Sequence, residues 1–350
     1  MNKDDIKYQT RAFKEEFIRH ILEEQLQEVV LEPFMYDETS VNTLKFVDFL
    51  MTKGIQVYND IRFKGFLDKA VHHTRQGKYD PFNDHLRETI PKDEFSEIIK
   101  QTPVIQTVLN GQLIIDDFEV FRSEFNDAFD ECKSECSGEI TTYIPGLSLY
   151  DNSKWAASLC TVDGQVHNVG DFEDLFTIQS TTKPIFYGIA SDIVGVEKIH
   201  QHVGKEPSGF GFNKIQVGHN DLPHNPLINT GAITISSLLL PDKPMSERFT
   251  YVMSKYTALA EGSIRNVTFN NSVYLSEKHN GHRNYAIGYY LKDKGCLTPN
   301  ANLTDTLELY FQLCSIETDV TAMSVMAAAL ANGGRFYLSY PNFLACIQSL

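Results

Sequence analysis

The chain has 350 residues, 42% of them hydrophobic and 22% charged. That composition excludes wholesale disorder, and the length exceeds the ~150 residues of a typical single core. With 46 acidic and 31 basic residues the formal net charge is −15, which argues against a nucleic-acid or anionic-membrane binder, since either needs a basic face. No uninterrupted apolar stretch reaches the ~18 residues of a membrane span. Six cysteines stand at 132, 136, 160, 296, 314 and 346. Only Cys132 and Cys136 are close, at i,i+4, and no second pair or nearby histidine completes a zinc site. They read as free thiols in a reducing compartment. Met1–Asp5 opens no apolar h-region and is too acidic for a mitochondrial presequence, so an intracellular chain is expected.

Residues 1–36 read as one or two amphipathic helices, with Phe13, Phe17, Ile18, Ile21, Leu22 and Val29 at helical spacing. Residues 40–135 are expected to continue all-helical. Ser40 is a candidate cap for a helix carrying Leu44, Phe46, Val47, Phe49 and Leu50. Pro91-Lys92-Asp93-Glu94 puts proline and acids at another helix start. Between 114 and 136, Phe118, Phe121, Phe125 and Phe129 share one helical face. Leu109-Asn110-Gly111-Gln112-Leu113 with Asp117 resembles half an EF-hand. Gln106, Val108 and Asn110, at the early ligand positions, bring no carboxylate, so calcium is not expected to bind.

Composition changes near residue 140. Trp155–Thr161 is strand-like, Asp163-Gly164 is a hairpin turn, and Gln165–Val169 is the returning strand. Helices are expected over 180–194, 229–240, 245–260, 283–294, 305–316 and 318–332, the last closed by Gly333-Gly334. A hairpin followed by many helices predicts an α+β arrangement with helices packed on a sheet.

Ser180-Thr181-Thr182-Lys183 carries the chemistry. Three residues apart on a helix, Ser180 and Lys183 share a face, so the amine lies beside the hydroxyl. A desolvated lysine there can accept the serine's proton, and the helix start favours a developing alkoxide. Leu175-Phe176-Thr177-Ile178 is strand-like just before, and Pro184-Ile185-Phe186-Tyr187 continues apolar just after. A nucleophile at a strand-to-helix turn is a recurrent setting for this chemistry. The penicillin-binding and β-lactamase template also needs Ser-x-Asn or Tyr-x-Asn and then Lys-Ser/Thr-Gly downstream. Ser40-Val41-Asn42 and Tyr150-Asp151-Asn152 both lie upstream, and no Lys-Ser-Gly or Lys-Thr-Gly occurs.

Longer segments carry a resemblance. They are Tyr143-Ile144-Pro145-Gly146-Leu147, Cys160-Thr161-Val162-Asp163-Gly164-Gln165, Val203–Gly209, Pro223–Ile233, Gly281–Tyr290 and Tyr310–Ile316. In this order they resemble the animal kidney- and liver-type glutaminases, of the serine-dependent β-lactamase-like group, from about residue 40 to about 335. The resemblance implies three regions: an N-terminal helical extension (1–36), an EF-hand-like helical domain without calcium (37–137) and a β-lactamase/transpeptidase-like glutaminase domain (138–350). It implies hydrolysis of L-glutamine to L-glutamate and ammonia through a Ser180 γ-glutamyl-enzyme. Ser180 matches the nucleophile, Lys183 its partner and Tyr143 a tyrosine beside them. Asn229 matches a glutamine-binding residue. Glu277 and Asn284 match the acid and amide that hold the α-amino and α-carboxylate groups, and Tyr310 a further substrate contact. A zwitterion needs an anion for its ammonium and neutral donors for its carboxylate, so the residue types are suited to it. No metal or other cofactor is implied. A homotetramer, phosphate as activator and a mitochondrial location are implied; without a visible presequence a cytoplasmic location stays open.

The chain also departs from the family. In the loop matching the activator region, Lys214 is kept, but Gly211 and Gln216 stand where relatives have an arginine and an aromatic. The resemblance ends at Gly333-Gly334-Arg335. Relatives continue with a second tyrosine and a Lys-Ser-Gly strand. The catalytic domain is therefore expected to be incomplete, with an exposed sheet edge and low or absent turnover. The alternative reading is an inactive truncated paralogue or isoform with a binding or regulatory role.

Overall fold

The structure is a computed structural model. It describes residues 31–58, 60–72, 85–135, 137–209, 211, 213–260 and 267–334. The helices expected before residue 31 and the residues past Gly334 lie outside the described residues. The chain divides into two compact units between Asp116 and Asp117. No described helix is long and apolar enough to cross a membrane.

The first unit has a core of Val41, Phe46, Leu50, Phe63, Phe66, Ile90, Phe95 and Ile105. Its rings meet edge to face, with Phe46 and Phe95 centroids 4.8 Å apart; such contacts add to the burial of apolar area. It is not all-helical. Strand β1 (Ser40–Asn42) pairs antiparallel with β4 (Thr89–Pro91), and β2 (Val71–His72) with β3 (His85–Leu86). The reason lies in the capping. Asn42, not Ser40, caps the helix Thr43–Thr52 by accepting from the Lys45 N–H at 2.9 Å. That leaves Ser40 upstream, extended and paired with Pro91. Pro91 and the acids Asp93 and Glu94 do start the helix Lys92–Gln101. The helix Pro103–Leu109 is followed by Gly111 at φ +61°.

The second unit begins with the helix Phe118–Lys133, capped by Asp117. Its aromatic face packs on a hairpin: Phe125 meets the His167 ring, and Asn126 hydrogen-bonds that ring at 2.8 Å. The hairpin is β5 (Ala156–Cys160) and β6 (Val166–Gly170), in register from Ala156↔Gly170 to Cys160↔Val166. The turn glycine, Gly164, takes φ +93°, a conformation glycine adopts without steric cost.

A second, three-stranded sheet has the order β7 (Phe176–Thr177), β9 (Ile316–Thr318), β8 (Thr268–Phe269), all antiparallel. Around it lie the helices Thr182–Val194, Met245–Leu259, Asn271–Asn280, His282–Asp293, Leu303–Cys314 and Val320–Ala331. The helices Thr182–Val194, His282–Asp293 and Leu303–Cys314 pack on the helix Asn229–Leu238, every residue of which is buried. A helix enclosed on all sides needs small residues so that neighbours can approach. Gly231, Ala232, Ser236 and Ser237 supply them, and both serine hydroxyls are absorbed by backbone carbonyls one turn back, at 3.1 and 2.6 Å. The buried Arg248 closes its far end by donating to the carbonyls of Leu239 and Ser236, both at 2.8 Å. The short strands and the helix Asn271–Asn280 are elements the sequence periodicity does not announce.

Gly231 fixes the start of this central helix. A Cβ there would meet the Asn225 carbonyl oxygen at 1.9 Å, and the colliding atom is backbone. Gly231→Ala is expected to destabilise by about 2–3 kcal/mol, read as a lower urea midpoint with an unchanged slope. A midpoint equal to that of the wild type would contradict this packing.

Candidate active site

Three segments converge on Ser180. β7 ends at Thr177, and the Ile178 N–H donates to the Ile316 carbonyl at 2.9 Å. Gln179 then turns through the left-handed region at φ +48°, which costs a non-glycine residue roughly 1–2 kcal/mol. A 3₁₀ turn, Gln179–Thr181, leads straight into the helix Thr182–Val194. Ser180 is exposed at the head of that helix, while Lys183, one turn on, is only 3% exposed. The Lys183 Nζ donates to Ser180 Oγ at 2.5 Å. Thr182, between them, is held by the fully buried Tyr256, which donates to the Thr182 carbonyl at 3.2 Å and accepts from its hydroxyl.

The second segment brings Glu277. Asn270 caps the helix Asn271–Asn280 by accepting from the Val273 N–H at 3.0 Å. The same residue is tied to β9 through its amide, which donates to Glu317 Oε1 at 2.8 Å. The cap is therefore locked to the sheet, and Glu277 is carried inward to 1% exposure. Burial pushes its carboxyl pKa up. A hydrogen bond from Tyr143, the charge of Lys183 and a hydrogen bond from Gln179 oppose that shift. Tyr143 is 55% exposed as a residue, but its hydroxyl is turned inward, against the Glu277 carboxylate and 2.6 Å from Gln179 Oε1. Desolvation first, then the negative Glu277, drives the Tyr143 phenol pKa up and keeps it a neutral hydrogen-bonding group.

The third segment is the helix Leu303–Cys314. Tyr310 and Cys314, one turn apart and both buried, hydrogen-bond each other. Burial, reinforced by the Glu277 charge, pushes the Cys314 thiol up to about 12, so it is a neutral group and a poor nucleophile. Lys183 goes the other way: burial pulls its pKa down, against the charge of the neighbouring Glu277, which favours its charged form. An exposed hydroxyl beside an amine whose proton burial loosens has the makings of a nucleophile–base pair.

Asn229 and Asn284 meet each other, Asn229 Nδ2 donating to Asn284 Oδ1 at 3.1 Å. Gly281 alone separates the Glu277 helix from the helix His282–Asp293 that carries Asn284. The Asn229 Oδ1 is buried and has no partner, so a donor brought by a ligand would meet an unmet acceptor. Among the described residues no direct hydrogen bond joins this pair to Ser180 or Glu277. The structure thus links Ser180, Lys183, Tyr143, Glu277 and Tyr310 through one set of contacts and sets Asn229 and Asn284 as a separate pair. Gln179, Cys314 and Tyr256 belong to the same cluster, and sequence reasoning missed them as site residues. The only signals were that Gln179 precedes the serine and that Cys314 lies i+4 from Tyr310.

Residues 138–345 match the family model described as Glutaminase, which runs past the Arg335 at which the resemblance was read to end. The chain is 39% identical over 315 residues to "Putative glutaminase 3" of Caenorhabditis elegans, covering 88% of this chain and 52% of the relative. It is 38% identical over 290 residues to "Glutaminase liver isoform, mitochondrial" of Mus musculus, covering 83% and 47%. It spans about half the length of these curated relatives. Among solved structures, "Probable glutaminase ybaS" superposes with TM-score 0.57 at 26% identity, covering 62% of this chain and 69% of that one.

Because Glu277 supports the charged form of Lys183, Glu277→Gln is expected to let Lys183 lose its proton at lower pH. Nitrogen-15 NMR of the lysine side chains reads it directly; an unmoved Lys183 titration would contradict the coupling.

Proposed function

The chain belongs to the glutaminase family, and from that membership we propose that it hydrolyses the side-chain amide of L-glutamine to L-glutamate and ammonia, with Ser180 as nucleophile. The observation that carries this reading is the 2.5 Å contact between the buried Lys183 Nζ and the exposed Ser180 Oγ, beside a buried carboxylate. In the proposed reaction neutral Lys183 takes the Ser180 proton as Oγ attacks the amide carbon. The tetrahedral intermediate collapses as Lys183 returns that proton to the leaving nitrogen, and ammonia departs. A γ-glutamyl ester remains on Ser180. Water, deprotonated in turn by Lys183, attacks the ester, glutamate leaves, and the serine is restored. Glu277 would pair with the substrate's α-ammonium. Asn284 would donate to its α-carboxylate, Asn229 would bind the glutamine through its unmet acceptor, Tyr310 would add a further substrate contact, and Tyr143 would hold Glu277 in place.

The same reading extends to the rest of the chain. We take the catalytic unit as β-lactamase/transpeptidase-like and the N-terminal unit as EF-hand-like without calcium. We take the assembly as a homotetramer activated by phosphate, working without a metal cofactor, in mitochondria as the mouse relative's name states for that protein. These proposals rest on family resemblance.

The purified chain should release ammonia from L-glutamine, and Ser180→Ala should lower that release by about 10³-fold or more. Release from the Ser180→Ala chain equal to wild type would end the serine mechanism.

Glu277→Gln removes a charge-assisted contact worth about 1.5–3 kcal/mol, so the KM for glutamine should rise roughly 10- to 100-fold. The pH dependence has a definite sign. Burial raises the Glu277 pKa, and only the carboxylate pairs with an ammonium, so glutamine binding should weaken as pH falls through that raised value. A simple amide lacking both α-groups should be a poor substrate; turnover of it equal to that of glutamine would overturn the assignment.

A further inference from the structure

Gln179 is the residue in this cluster whose position the proposed reaction does not yet explain. Its backbone is left-handed, at φ +48°, although glutamine has no ease there and glycine would. Its side chain is also fully engaged. Oε1 lies 2.6 Å from the Tyr143 hydroxyl. Nε2 lies 3.4 Å from Thr177 Oγ1 on β7, and the side chain also hydrogen-bonds Glu277. One residue therefore touches the strand before the serine, the tyrosine at the mouth and the buried carboxylate. A strained backbone persists only where its surroundings hold it, and such residues cluster at functional sites.

We propose that Gln179 is a positioning residue with two separable parts. Its left-handed backbone forms the elbow that presents Ser180 Oγ to Lys183, and its amide fixes Tyr143 and Glu277 in the orientation that receives the α-ammonium. The second part rests on the reading of Glu277 given above. The choice of an amide follows from hydrogen-bond arithmetic. The Tyr143 hydroxyl has one proton and two neighbours, Gln179 and the Glu277 carboxyl, so it cannot donate to both. An amide offers both an acceptor and donors, and so completes the set whether Glu277 is ionised or neutral. A glutamate at 179 would instead set a second carboxylate against Glu277.

Two substitutions separate the parts. Gln179→Gly keeps the elbow at no steric cost and deletes the amide. Gln179→Val deletes the amide and adds a β-branched side chain where positive φ is most strained. Gln179→Gly is expected to raise the KM for glutamine about 10-fold, with a smaller fall in kcat. Gln179→Val should fall at least 10-fold further in kcat and unfold at a lower temperature than Gln179→Gly. A glycine variant with wild-type KM would overturn the role of the amide, and a valine variant no worse than glycine in kcat and midpoint would overturn the elbow. Unfolding midpoints of Gln179→Gly, Tyr143→Phe and the double variant read the amide without any turnover: the shifts should be non-additive, since the two groups touch, and additive shifts would overturn the contact. If the wild-type chain releases no ammonia, the glutaminase reading fails, while these midpoints still decide the part played by Gln179.

Discussion

A strand of three residues, Ile316–Thr318, is the constraint on which the site depends. It lies between β7 and β8 and pairs with both, Glu317 opposite Thr177 on one side and Thr268 on the other. β7 leads within three residues to Ser180. β8 leads through the Asn270 cap to the helix of Glu277. The strand itself continues from the helix of Tyr310 and Cys314. Each ladder has only two residue pairs, and a slip of one residue would turn every side chain to the opposite face. The register is therefore fixed from outside the ladder, by the Ile178 N–H on the Ile316 carbonyl and by the Asn270 amide on the Glu317 carboxylate. The candidate constellation is assembled from distant parts of the chain by a sheet too small to be stable alone.

Within that frame the electrostatics are balanced against burial. One amine and one carboxyl are taken out of water, and each is moved toward its neutral form while the other charge pulls it back. Two neutral hydroxyls and a neutral thiol complete the surroundings, so the pair is surrounded by dipoles rather than by further charges. The unmet acceptor on Asn229 belongs to the same pattern: polar capacity is held in the interior where a polar ligand could use it.

Much of this was legible in the sequence, for identifiable reasons. The hairpin was visible because alternation flanks Asp163-Gly164, and Gly164 does take the positive φ that the turn needs. The helix Phe118–Lys133 was visible because its phenylalanines recur on one face. Ser180 and Lys183 were visible because spacing on a helix sets proximity. The helix Asn271–Asn280 was not visible: its buried face is Val273, Tyr274 and Glu277, and the acid interrupts the apolar period that would have announced it. The residue proposed to pair with the substrate's ammonium is the one that hid its own element. β8 and β9 are two and three residues long, too short for any alternation to register. Asn42 and Ser40 are equally good caps by type, and only pairing with β4 decides between them. For Gln179 the one signal was its place just before the serine, because a positive φ is invisible in a residue that is not glycine.

In the proposed mechanism Ser180, and not a thiol, is the acylated residue. A glutamine-like diazo-ketone, followed by proteolysis and mass mapping of the adduct, tests it most directly. The account predicts one adduct, on Ser180, lost in Lys183→Ala while the fold is retained. An adduct on Cys160 or Cys314 in place of Ser180 would contradict it.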